Sequence, residues 1–166
     1  MKFFHAIGIS GVLVLASSLT SAFAEPMKEL AEYKGSLGKF SCDAKETGSG
    51  KSFKATVEKT AEFDGQTYVE RYVEMKSADH PNPWDGIFIM SYDPASNRWV
   101  RNGIDNSGER NAASSSGWDG DTWVWENDGV NIVINKKGTN GFTFAVDVKE
   151  SAGGVKRVVE ATCRRV

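Results

Sequence analysis

Few histidines are available in this chain for catalytic chemistry. The 166-residue chain has two, His5 and His80, and His5 lies in a leader-like N-terminal segment. A catalytic triad would have to use His80, but the surrounding loop, Asp79–Pro83, has no nucleophile motif. A histidine zinc site is excluded by count, whereas haem held by a single histidine stays open. We otherwise expect His80 to be an exposed loop residue at the rim of the fold.

Carboxylates offer a second kind of chemistry, because two of them facing each other across a cleft can hydrolyse a glycosidic bond. The sequence Asp119-Gly120-Asp121 lacks the further oxygen ligands of a calcium loop and predicts a tight turn. A carboxylate-dependent enzyme therefore remains an alternative, but we assign no catalytic residue, no metal ligand and no cofactor. The available carboxylates near the aromatic part of the chain are Asp85, Asp105, Glu109 and Glu126.

One stretch resembles the end of a phosphate-binding loop. Gly48-Ser49-Gly50-Lys51-Ser52 has the right final residues, but Lys45 stands where that motif needs glycine. The residues that follow alternate with a period of two, whereas a phosphate-binding loop is followed by a helix. We therefore interpret this stretch as a hairpin loop.

Two cysteines, Cys42 and Cys163, stand near opposite ends of the chain. In an exported protein such a pair usually forms a disulfide, and two separate buried thiols are the alternative. Closing so long a loop would contribute about 4–5 kcal/mol in the chain-entropy model. The disulfide would also bring the first strand beside or across from the last, as happens when a sheet closes into a barrel.

All five tryptophans lie in the stretch Trp84–Glu126. The small residues Ala112–Ser116 lie among them. Small side chains beside large ones can leave an apolar cavity with a few polar groups, which is the usual pattern of a ligand site. The alternative is that the tryptophans fill a solid core.

For a hollow fold, the best candidates for ligand contact are the aromatic residues that share strand faces. Strand alternation puts Trp99 on the same face as Arg101, and Trp123 on the same face as Trp125. Arg101 is the candidate partner of a carboxylate or other anionic head group. The complete set of predicted ligand-binding residues is Tyr92, Trp99, Arg101, Trp123 and Trp125.

Period-two patterns predict about ten strands at intervals of about ten residues, with one short helix over Pro26–Tyr33. Asp64-Gly65 predicts a tight hairpin turn. We predict the all-β class, as an antiparallel meander barrel, with a sandwich as the alternative. Strands in the aromatic stretch are apolar on both faces, so we expect the helix or loops to cover the outer one. The clearest strand pattern runs from Phe53 to Phe63. Only Lys59 interrupts its apolar face, which is made by Phe53, Ala55, Val57, Ala61 and Phe63.

The first 24 residues have the features of a secretory signal peptide. Met1–His5 is short and basic, Ala6–Leu19 is mostly apolar, and Ala22-Phe23-Ala24 fits a signal peptidase site. The apolar run is shorter than the roughly 20 residues needed to span a bilayer, although an uncleaved anchor is the alternative. Cleavage after Ala24 would leave one domain, residues 25–166, in the periplasm or outside the cell.

Losing Lys2 with the leader changes the formal charge from −2 to −3. The remaining chain has no basic stripe, so we expect no nucleic acid as a partner. It also has no second long apolar run, so we expect no membrane span after cleavage.

Short motifs in a fixed order carry a resemblance to a known family. The motifs resemble those of secreted bacterial proteins with a lipocalin-like domain of unknown function, over most of the chain that follows the leader. They are Leu37-Gly38-Lys39-Phe40-Ser41-Cys42, Ser91-Tyr92-Asp93-Pro94, Arg98-Trp99-Val100-Arg101, Gly103-Ile104-Asp105-Asn106, Ser116-Gly117-Trp118-Asp119-Gly120-Asp121 and Glu160-Ala161-Thr162-Cys163.

The resemblance implies a calycin-type barrel with an internal cavity and implies no catalytic residues. Phe40 stands where lipocalins have the tryptophan of their G-x-W start. The chain is more distantly similar to haem-binding nitrobindin-like barrels, but it has no late histidine to act as the haem ligand. We therefore predict an exported barrel that binds a small apolar or amphipathic ligand, with a filled structural or interaction barrel as the alternative.

Overall fold

The structure is a computed structural model and describes residues 28–136 and 140–166. Helix α1 spans Lys28–Tyr33, and short 3-10 turns cover Lys34–Ser36 and Phe63–Gly65. The predicted helix is therefore confirmed from Lys28 onward, whereas the leader, the cleavage site after Ala24 and Pro26 lie outside the described residues. The strands are β1 Gly38–Glu46, β2 Ser52–Glu62, β3 Thr67–Glu74, β4 Asp85–Asp93, β5 Arg98–Asp105, β6 Arg110–Ser115, β7 Trp118–Asp119, β8 Thr122–Glu126, β9 Val130–Lys136, β10 Gly141–Lys149 and β11 Val155–Arg165.

The strands form one antiparallel sheet that closes on itself. Neighbours in sequence pair from β1 to β6 and from β7 to β11, and β1 also pairs with β11. The sheet closes where β6 meets β8 through the pair Ser114 and Glu126. Because β7 is a two-residue ribbon beside β8, ten strands make the barrel wall. The predicted all-β barrel is confirmed, and the sandwich alternative is wrong.

A disulfide joins the first and last strands. Cys42 and Cys163 are directly paired across β1 and β11, and their Cα atoms are 4.0 Å apart. Both side chains are buried inside the barrel beside Phe40, Val57 and Phe142. The predicted disulfide is confirmed, and the part of the chain that the structure describes holds no free cysteine.

The helix packs into one end of the barrel, which we call the helix end. Leu30 and Tyr33 point into the barrel from α1. The opposite end, which we call the open end, carries the β3–β4 and β8–β9 loops. No helix in the described residues is long and apolar enough to cross a membrane. A buried cluster extends from the helix end to the cavity-facing Trp125, and it comprises Leu30, Tyr33, Tyr68, Met90, Trp99, Trp123 and Trp125.

Two surface predictions were wrong. Phe63 is 79% exposed, because β2 ends at Glu62 and Phe63 adopts a left-handed turn conformation with φ of 50°. The outer face of β4 and β5 was expected to lie under the helix or loops, but Ile87, Ile89 and Ile104 are exposed there. The reason is that α1 enters the end of the barrel and leaves this outer face uncovered.

Candidate functional site

The helix end of the barrel, which we call the solid half, is filled by aromatic side chains apart from a cavity of about 60 Å³ beneath the helix. The ring of Tyr33 packs against those of Tyr68, Trp99 and Trp123, with centroids 4.8, 5.4 and 5.6 Å away. Its hydroxyl donates a hydrogen bond to Met90 Sδ at 3.2 Å. Burying an aromatic side chain of this size stabilises a fold by about 1.5–3 kcal/mol, so Tyr33 fixes the helix as a plug.

The open half of the barrel encloses a cavity of about 340 Å³. This volume lies near the lower end of the range of about 300–1,000 Å³ that is usual for small-molecule sites. Ala112 and Ala113 border the cavity, in agreement with the prediction that small residues beside large ones leave space. The cavity and filled-core alternatives thus describe different ends of one barrel.

The wall of the cavity is mainly apolar. Its aromatic members are Tyr72, Trp84, Phe88, Trp125, Phe142 and Phe144. Its aliphatic members are Val57, Val130, Ile132, Ile134, Val146 and Val159. Its larger polar members are Lys59, Glu70, Glu74, Arg101, Asn111 and Asn127. Apolar walls with few polar groups are typical of sites for small organic molecules.

A glycine on β5 positions one of the aromatic walls. Gly103 is paired directly with Phe88 of β4. A Cβ atom on Gly103 would lie 2.3 Å from Phe88 Cδ1 and 2.4 Å from the Ile87 carbonyl oxygen. Because Gly103 has no side chain, the Phe88 ring can lie across β5, where its centroid is 3.3 Å from the guanidinium carbon of Arg101.

Three charged side chains separate the cavity from the helix end, and we call them the charged floor. They are Lys59 of β2, Glu70 of β3 and Arg101 of β5, each 9% exposed or less. Lys59 Nζ lies 3.1 Å from Glu70 Oε2. Arg101 Nη2 donates to Glu70 Oε1 at 3.0 Å. Lys59 also lies 5.4 Å from the Tyr33 ring centroid, and it borders a smaller cavity of about 60 Å³ beneath the helix.

The charged floor stays ionised at neutral pH. Burial opposes ionisation of Glu70, but the charges of Lys59 and Arg101 and their hydrogen bonds outweigh it and lower the pKa of Glu70 to about 2. Burial also disfavours the charged form of Lys59, but its interactions with Tyr33 and Glu70 raise the pKa of the ammonium. Because arginine is always protonated, the floor carries a net charge of about +1.

Lys59 and Glu70 were not among the site residues predicted from the sequence. The signal was present for Lys59, which interrupts the otherwise apolar face of β2. Glu70 lies between Tyr68 and Tyr72 on one face of β3, where a carboxylate among inward aromatic residues needs a charged partner. The sequence does not say which strand supplies that partner.

A second polar cluster lies at the open end. Glu74 Oε2 accepts the backbone N–H of Trp84 at 2.7 Å and lies 2.7 Å from His80 Nε2. The Tyr72 hydroxyl donates to Glu74 Oε1 at 3.2 Å. The His80 ring stacks on Phe53, with centroids 4.4 Å apart. His80 lies at the rim, but the prediction that it is exposed was wrong, because this stacking and Glu74 leave it 9% exposed.

The structure divides the predicted ligand-binding residues between the two ends. Arg101 and Trp125 line the large cavity. Trp99 is buried under the helix, and Tyr92 packs against it with ring centroids 5.9 Å apart. Trp123 also lies at the helix end and borders the smaller cavity.

The carboxylates singled out in the sequence do not line the large cavity. Asp105 instead accepts hydrogen bonds from the Ser107 hydroxyl and the Trp84 indole. Those hydrogen bonds, with the largest contribution from Ser107, lower the pKa of Asp105 to about 2. Within the described ranges, no group of three or more histidine, cysteine, aspartate or glutamate side chains could hold a metal ion.

No protein-family model matches the chain, and no curated protein matches its sequence. Among solved structures, the chain is similar to a de novo designed fluorescence-activating β-barrel. The two share 16% sequence identity with a TM-score of 0.42, over 78% of this chain and 93% of the designed one. A similarity of this size carries no functional information, so the function is inferred from the cavity itself.

Proposed function

We propose that this protein is an exported barrel that binds a small apolar or amphipathic molecule in the open half of its interior. The observation that carries the proposal is the cavity of about 340 Å³ above the charged floor. A core that served stability alone would be expected to close such a space, since protein interiors are packed with few voids larger than a water molecule. Removing apolar ligand surface from water stabilises a complex by about 25 cal/mol per Å².

Arg101 and Trp125 are the proposed direct contacts among the residues identified from the sequence. Trp125 offers a large apolar surface, and Arg101 a fixed positive charge with several hydrogen-bond donors. For Tyr92, Trp99 and Trp123 we propose a supporting role, because Trp99 and Trp123 pack against Tyr33, and Tyr92 against Trp99, which keeps the helix end closed. The ligand would then enter only from the open end.

Export through a cleaved leader, residues 1–24, is part of the proposal. The disulfide between Cys42 and Cys163 supports it, because disulfides persist mainly in oxidising compartments such as the periplasm and the extracellular space. We also propose membership of the secreted lipocalin-like family that the sequence motifs resemble. The pairing of the first and last strands in a closed barrel agrees with that assignment.

Native mass spectrometry of the protein purified from its native host tests the proposed function. We expect a small molecule to copurify in a complex with one barrel, and to be lost when the protein is denatured. A matched preparation of the Ala113→Trp variant should carry less of it, because the larger side chain would occupy part of the cavity. Absence of any adduct, together with failure of a lipid panel to quench the tryptophan fluorescence, would refute the proposal.

A further inference from the structure

We infer that the charged floor is a head-group site for a single negative charge, so that the ligand is an amphipathic monoanion such as a carboxylate. The inference rests on the proposed function, because it names the chemistry of the molecule that the cavity would hold. It is carried by the charge of the floor, by the hydrogen-bond donors that the floor leaves unused, and by the apolar walls above it.

The first observation is an excess of positive charge inside the barrel. Lys59 and Arg101 share one counter-ion, Glu70, and all three side chains are buried. A buried charge without a counter-ion is costly. The other carboxylate that lines the cavity, Glu74, is four residues along β3 and therefore about 13 Å from Glu70. Glu74 is already bonded at the mouth to Trp84 and His80, so one further negative charge would neutralise the floor.

The second observation is that the unused hydrogen-bonding groups of the floor include buried donors. Both Glu70 oxygens are occupied, one by Lys59 and one by Arg101. The Arg101 Nε–H is buried and has no hydrogen-bond partner within the described residues. Lys59 has three N–H donors, and Glu70 Oε2, 3.1 Å from Nζ, engages one of them. A carboxylate has two acceptor oxygens and no donor, so it fits these groups, whereas an ammonium head group does not.

The third observation is the length of the apolar wall between the floor and the mouth. Glu74 is four positions after Glu70 on β3, which corresponds to about 13 Å. The apolar side chains that line the cavity include Phe88, Trp125 and Ile132. An alkyl or aryl tail would lie along them, and each buried methylene should tighten binding about fourfold.

Calorimetric titration of the full barrel with straight-chain carboxylates, hexanoate to hexadecanoate, and with primary alcohols of equal length tests this inference. We expect each carboxylate to bind about tenfold or more tightly than its alcohol, since hydrogen bonds to charged groups are the stronger ones. Affinity in the carboxylate series should rise about fourfold per methylene until the tail reaches the mouth, and then level off.

A pair of variants locates the head group. Lys59→Met leaves the floor neutral, with Glu70 still paired to Arg101, and should reduce the preference for carboxylate over alcohol about tenfold. Lys39→Met is the matched control, because Lys39 is an exposed lysine that pairs with Glu58 on the outer surface, and it should leave the preference unchanged. If Lys59→Met does not fold, the wild-type comparison of acid and alcohol decides alone.

The outcomes separate this inference from the proposed function. Equal affinities for carboxylates and alcohols would overturn the inference while the proposed function stood. An equal effect of Lys59→Met and Lys39→Met on the preference would also overturn it. Failure of both series to bind at any chain length would refute the proposed function as well.

Discussion

Strands β5 and β8 carry a tryptophan towards the helix end, whereas the chain has glycine on β5 and asparagine just after β8 towards the open end. On β5, Trp99 is buried under the helix, whereas Gly103 has no side chain to place beside the cavity. On β8, Trp123 contacts the helix and Asn127, just beyond the strand, lines the cavity. The same strands therefore build a solid half and a hollow half. Tyr33 of α1 fills one end of the barrel, small residues such as Ala112 and Ala113 leave space at the other, and the charged floor marks the boundary.

The largest difference in stability between the two halves should appear when one tryptophan is removed from each half in turn. Trp99→Ala should lower the free energy of unfolding by about 3–5 kcal/mol, because it leaves a void in a solid core. Trp84→Ala should lower it by less, about 1–3 kcal/mol, because Trp84 borders space that is already empty. Urea denaturation of both variants measures the difference, and equal losses would contradict the division into a solid and a hollow half.

The charged floor should make the free energy of unfolding depend on pH in the acid range. The pKa of Glu70 in the folded protein is about 2, below its usual 4.5, because of Lys59 and Arg101. A carboxyl whose pKa is lowered by folding contributes stability above its unfolded pKa and loses it as the pH falls. Stability from Glu70 should therefore be complete above about pH 4.5 and decline towards pH 2.

The Glu70→Gln variant isolates the contribution of Glu70 to this pH dependence. At neutral pH the variant should lose about 3–5 kcal/mol, because Lys59 and Arg101 are then buried without their counter-ion. It should also lose less stability than the wild type between pH 4.5 and pH 2. Glu58→Gln, which alters an exposed glutamate on the outer surface, is the matched control for urea denaturation across that range. A Glu70→Gln variant with the same acid profile as the wild type would contradict the ion-pairing of the floor.

A smaller effect should follow from adding a methyl group to the hollow half. Gly103→Ala should cost about 1–3 kcal/mol, because its Cβ would overlap Phe88 and displace it from beneath Arg101. Gly48→Ala is the control, since a Cβ on this loop glycine meets no atom within 4 Å. Thermal unfolding followed by circular dichroism compares them. If the Gly103→Ala and Gly48→Ala variants unfold at the same temperature, the packing of Phe88 does not depend on the glycine.

The smallest effect on the free energy of unfolding should come from a substitution at the rim of the open end. His80→Ala should cost about 1 kcal/mol, since it removes the stacking on Phe53 while Glu74 keeps its bonds to Trp84 and Tyr72. The measurement is again urea denaturation, with Asp79→Ala in the same loop as the control. A loss as large as that of Trp99→Ala would mean that the open end is as tightly constrained as the helix end.

The sequence was sufficient to predict the closed barrel. Period-two strands separated by turn residues gave the class, and the positions of Cys42 and Cys163 near the two chain ends indicated closure. These signals are local or depend on a single pair of residues. They do not require knowledge of which side chains meet inside.

The charged floor was not predictable in the same way. Lys59, Glu70 and Arg101 come from three strands, and their pairing depends on strand register and on the tilt of the barrel. Alternation put Trp99 on the same face as Arg101, and Trp123 on the same face as Trp125, but it could not show that Tyr33 of α1 would plug one end of the barrel. The location of the cavity follows from that plug, so the sequence could not assign the aromatic residues to a solid or a hollow half.

The five tryptophans report on both halves at once. Their indole N–H signals, recorded in a proton–nitrogen spectrum and assigned with single Trp→Phe variants, can be followed during titration with dodecanoate. A ligand in the hollow half should shift the signals of Trp84 and Trp125, which line the cavity, and leave those of Trp99 and Trp118 nearly unchanged. Saturating dodecanoate that moves none of the five signals, or moves Trp99 as far as Trp125, would contradict a binding site in the hollow half of the barrel.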